Sequence, residues 1–79
     1  MSATLARVNR ALTRSEIPLE LERDPSGYHY FIFDDRGPNY ETESVMIPYT
    51  SHITVERWLE YAALALEAIR QRIAARQTA

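Results

Sequence analysis

The chain has 79 residues, 46% hydrophobic and 25% charged, which suits one small globular domain with a modest core and excludes a disordered or fibrous protein. Nine Arg, no Lys and eleven Asp plus Glu give a formal charge of −2, which speaks against general, charge-driven binding to nucleic acid but leaves room for a local basic patch. No cysteine is present, so disulfides, thiolate metal centres and a cysteine nucleophile drop out; no apolar run has the length of a signal sequence or membrane span, and a cytoplasmic protein without a membrane partner is expected.

Leu5, Val8 and Leu12 recur at helical spacing, with Arg7, Arg10 and Arg14 on the opposite side, and predict a short amphipathic helix over 3–14. Ser15 and the Ile17-Pro18 step end it, because a residue before proline is pushed out of the helical region. Ile17, Leu19 and Leu21 then alternate with Glu20 and Glu22, the pattern of a half-buried strand over 17–23. Asp24-Pro25-Ser26-Gly27 supplies a preset φ and a residue tolerant of positive φ, and predicts a hairpin turn.

Tyr28-His29-Tyr30-Phe31-Ile32-Phe33 is aromatic and β-branched throughout, which suits a central strand over 28–34. Periodicity leaves its orientation open: with Phe31 and Phe33 inward, Tyr28, Tyr30 and Ile32 face out, and the reverse exposes His29 and both Phe. After the polar turn from Asp34 to Asn39, the residues up to Ile47 alternate again, Val45 and Ile47 against Thr42, Ser44 and Met46, and predict a third strand over 41–47. Pro48 stops it, and Tyr49 to His52 form a short loop.

Thr54 has the chemistry of an N-cap, and Ile53 can staple onto Trp58. Val55, Leu59, Ala62, Leu66, Ile69 and Ile73 form an apolar stripe for a helix over 55–76, with Glu56, Glu60 and Glu67 early and Arg70, Arg72 and Arg76 late, as the helix dipole favours. A helix of that length outruns short strands, so its end from Arg70 onward should overhang the sheet.

Few constellations carry chemistry. His29 and His52 lack metal-ligand spacing, Ser51-His52 adjacency is not a catalytic triad, and two glycines are too few for a phosphate cradle, so neither cofactor nor metal is expected and enzymatic activity is not. Asp34, Asp35, Glu41 and Glu43 gather carboxylates that could hold a divalent cation for hydrolysis, the third-ranked reading. Two surfaces point to a protein partner or to self-association: Tyr28 and Tyr30 on the sheet, and Arg57, Tyr61 and Leu64 with Ala68 on the last helix. The Arg7, Arg10 and Arg14 row is the candidate for contacts to nucleic-acid phosphates.

The order helix, three strands, helix resembles the double-stranded RNA-binding domain, and the alanine-rich stretch from Ala62 to Ala68 and the Gly37-Pro38 pair are similar to features of that family. Where that family carries a lysine cluster at the start of its second helix, this chain has Thr54-Val55-Glu56-Arg57. The runs Gly27-Tyr28-His29-Tyr30-Phe31, Glu43-Ser44-Val45-Met46-Ile47-Pro48-Tyr49 and Ile53-Thr54-Val55-Glu56-Arg57-Trp58 resemble small uncharacterised phage, prophage and mobile-element proteins of proteobacteria, which implies a setting but no mechanism. The expected fold is an α+β domain of two layers, a three-stranded antiparallel sheet with both helices on one face, acting as a non-enzymatic interaction module.

Overall fold

The computed structural model describes residues 3–78. Its elements are α1 (Leu5–Arg14), β1 (Glu20–Arg23), β2 (His29–Asp34), β3 (Tyr40–Val45), a 3₁₀ turn (Thr50–His52) and α2 (Val55–Thr78). The strands form one antiparallel sheet in the order β1-β2-β3. This is the expected α+β fold, with somewhat different element ends.

The first helix starts later than residue 3 because Thr4 is its N-cap: its backbone is extended, and its hydroxyl accepts from the Arg7 N–H at 3.2 Å. At the other end Glu16 adopts φ 57°, with its N–H on the Thr13 carbonyl and the Ile17 N–H on the Leu12 carbonyl. That pair of bonds is a Schellman closure built on a residue with a side chain, where glycine is usual. It also corrects the first strand. Ile17 belongs to the helix exit, Pro18 has no N–H to give, and the Leu19 N–H turns back to the Ile17 carbonyl, so pairing begins only at Glu20.

Register settles the orientation of β2. Leu21 stands opposite Phe31, and Phe31 opposite Glu43, so His29, Phe31, Phe33 and Val45 share the covered face while Tyr30 and Ile32 look outward. Asp24 and Asp35 close the two hairpins, each carboxylate accepting from backbone N–H groups inside its own turn.

Thr54 caps α2, its hydroxyl accepting from the Arg57 N–H at 3.1 Å. The buried ridge runs through Trp58, Ala62, Ala65, Leu66 and Ile69, with Val55, Leu59 and Ile73 of the expected stripe only half-buried. Trp58 is therefore more than a staple partner. Its ring lies edge-on to Phe31 and His29, its Nε1–H donates to the Thr50 carbonyl at 2.9 Å, and it joins α2 to the sheet and to the loop before the helix. Val8 and Leu12 of α1 complete the core beside Leu21. His29 is the one buried polar core residue among those described, held by a 2.9 Å bond between its Nδ1 and the Ile47 carbonyl. No helix among the described residues is long and apolar enough to cross a membrane.

Candidate functional site

The sheet has two free edges, and each receives a polar side chain from the helix above it. On β1, the Asp24 N–H bonds to the Tyr28 carbonyl, so by the alternation of an antiparallel ladder Leu21 aims its backbone groups at the edge. Asn9 of α1 meets both, its Oδ1 accepting from the Leu21 N–H at 2.7 Å and its Nδ2 donating to the Leu21 carbonyl at 2.9 Å. On β3, the Asp35 N–H bond to the Asn39 carbonyl puts Thr42 in the edge-facing set. Arg72 of α2 donates to the Thr42 carbonyl at 3.0 Å, and its other nitrogens reach Glu43 at 3.1 Å and Glu41 at 3.2 Å.

Arg76 adds a second contact to Glu41 at 2.5 Å. The end of α2 thus runs beyond its buried ridge but is tied down to β3 rather than left loose. Bonding to Arg76, then to Arg72, holds the Glu41 carboxyl below its ordinary range, and bonding to Glu43 raises Arg72. The carboxylates read as a candidate cation site are therefore committed elsewhere: Glu41 and Glu43 to arginines, Asp35 to its turn, and Asp34 to the Arg36 N–H at 2.8 Å. Among the described residues no group of three or more His, Asp or Glu is arranged to hold a metal ion.

Both surfaces singled out in the sequence border β3. On the uncovered sheet face Tyr30 stands across from Ser44, and Tyr28 is exposed just before β2. Ser44 also lines a recess of about 260 Å³ together with Val45, Met46, Tyr61, Leu64 and Ala65. Leu64 is 67% exposed and Met46 74%, so two large apolar side chains stand open to solvent in the recess they share with Tyr61 at the margin between α2 and β3. On the other side of Leu64 a second recess, about 370 Å³, is lined by Arg57, Glu60, Tyr61 and Ala63. Arg57 lies over the Tyr61 ring at 5.1 Å and is ion-paired with Glu60, which raises its pKa.

Along the sequence, Tyr28 with Tyr30, and Arg57 with Tyr61 and Leu64, form separate patches. Strand alternation places Met46 on the side of Ser44, but only the docking of α2 brings it to Leu64. Elsewhere on the sheet face Glu20 and Glu22 share one side of β1, and the hydrogen bond and repulsion between them raise the Glu22 carboxyl. Arg7, Arg10 and Arg14 line a further recess of about 330 Å³ with Ala11 and Val55, where α1 passes the start of α2.

Comparisons with protein-family models, with curated proteins and with solved structures give no match.

Proposed function

We propose that the chain is a non-enzymatic protein-interaction module, of the kind carried by phages and mobile elements and working in the cytoplasm, that docks through the margin between α2 and β3. The observation that carries this reading is the exposure of Leu64 and Met46 in one recess with Tyr61, next to the Arg57 guanidinium stacked on the Tyr61 ring. Apolar knobs beside an aromatic and an arginine are the combination on which interface energy concentrates. Backbone pairing is a poor alternative route, because Asn9 and Arg72 already engage edge groups of β1 and β3. The test compares wild type with Leu64→Glu and Met46→Glu for binding to proteins of the native host. Both variants are expected to keep the fold and lose the partner, and a partner retained by both would refute the assignment.

A second reading rests on the recess shared by Arg7, Arg10 and Arg14, together with the resemblance in element order to double-stranded RNA-binding domains. It predicts binding to DNA or RNA that weakens steeply with salt and disappears when the three arginines become Glu. Binding to neither nucleic acid at low salt would end it.

A further inference from the structure

We propose that the hollow between α1 and the start of α2 binds a phosphoryl group, the phosphorylated side chain of a protein partner; this goes beyond the α2 margin and rests on the reading of the chain as a protein-interaction module.

The chain is negative overall, yet α1 holds three arginines and no acid. Arg7, Arg10 and Arg14 lie three and four residues apart, so they share one helix face, and with Ala11 and Val55 they line one recess of about 330 Å³. Elsewhere arginines are neutralised within the fold: Arg57 by Glu60, Arg72 by Glu41 and Glu43, and Arg76 by Glu41. The guanidinium groups of Arg10 and Arg14, by contrast, make no hydrogen bond or ion pair with any described residue. Their charge stands uncompensated beside a hollow whose remaining lining, Ala11 and Val55, is apolar. Val55 is also the first residue of α2, where the helix dipole adds positive potential.

A phosphoryl group meets these conditions. It carries close to two negative charges and three acceptor oxygens, which guanidinium groups grip through paired N–H bonds. A carboxylate brings a single charge to the same cluster. The extended backbone of a nucleic acid fits less well, because the row from Arg7 to Arg14 spans only about 10.5 Å. Glu16 stands two residues beyond Arg14, and Glu56 follows Val55, so a longer polyanion meets carboxylates at the ends of the patch. None of the exposed tyrosines, Tyr28, Tyr40 and Tyr49, lines the recess to offer a ring on which a base could stack.

NMR titration of the full chain tests this, with a capped Ala-Ala-phosphoserine-Ala-Ala peptide, its counterparts carrying serine or glutamate at the centre, and a thymidine oligonucleotide without a terminal phosphate as probes. The phosphopeptide is expected to shift the Arg10 and Arg14 Nε–H signals and the Val55 amide saturably, with the glutamate peptide at least about tenfold weaker and the serine peptide silent. Arg10→Gln with Arg14→Gln keeps good helix formers in α1 and should weaken the phosphopeptide by at least about tenfold with an unchanged circular dichroism spectrum. Leu64→Glu, on the α2 margin, should leave phosphopeptide binding unchanged. No saturable shift, equal affinity for the glutamate peptide, or full binding by the double variant overturns the phosphoryl site and leaves the margin reading standing, since that reading is decided by Leu64→Glu and Met46→Glu. Tighter binding of the oligonucleotide than of the phosphopeptide overturns it as well, in favour of nucleic acid at this recess.

Discussion

Replacing Asn9 with Ala removes one side chain from α1 but strips two backbone partners from β1. Leu21 is fully buried, and its N–H and carbonyl make the 2.7 and 2.9 Å bonds to the Asn9 amide. An unpartnered buried main-chain group costs about 1–3 kcal/mol. With Asn9 itself half-buried, water reaches part of the vacated space, so the pair is worth about 2–4 kcal/mol. Alanine returns about 0.5 kcal/mol through its better helix propensity, leaving a net loss of about 1.5–3.5 kcal/mol. A domain of this length holds about 4–12 kcal/mol in total, so the change should be plain in the urea midpoint, lowering it by about 1–3 M. The location is checked by amide hydrogen exchange, where Leu21 should lose protection beyond the global decrease. A loss below about 0.5 kcal/mol, with Leu21 still protected, would refute the view that this amide closes the edge of β1.

Glu16→Gly should stabilise the chain by about 0.5–1 kcal/mol, since it relieves a side chain held at positive φ while giving back some entropy to the unfolded chain; a destabilised variant in thermal melts would contradict the helix closure described. Because the Glu41 carboxyl is held below its ordinary value of 4.5, its contribution to stability is fully present above that pH and is lost as the pH falls through the lowered folded value. Glu41→Gln should flatten that part of the acid profile and loosen the last turns of α2 at neutral pH, both visible in pH-dependent hydrogen exchange around Arg72 and Arg76; an unchanged profile would refute the coupling.

Local chemistry carried the sequence reading where one residue dictates one geometry. The Asp24-Pro25-Ser26-Gly27 turn and the Thr54 cap are of this kind, and both sit where the residues require. The orientation of β2 was not legible, because both faces of that strand are apolar enough to bury and only its register against β1 and β3 decides. Ile17 to Leu19 read as strand because alternation cannot distinguish a pleated segment from an extended helix exit. Asn9 did leave a trace, since an asparagine in the middle of a ten-residue helix is a weak helix former that calls for a tertiary reason. The candidate surface was half legible. Leu64 stands out on the helical wheel, whereas its proximity to Met46 depends on how α2 crosses the sheet.

The Arg72 contact to the Thr42 carbonyl has a bearing on what happens when the chain is clipped. Proteolysis just ahead of Arg72 would spare the buried ridge of α2, so the remnant would still collapse, yet it would bare the flank of β3. Glu41 and Glu43 then face the vacated side of β3 without their arginine partners, two like charges on one face of a single strand. The last two turns of α2, which bury little themselves, thereby serve as the counter-charge of the strand beneath them.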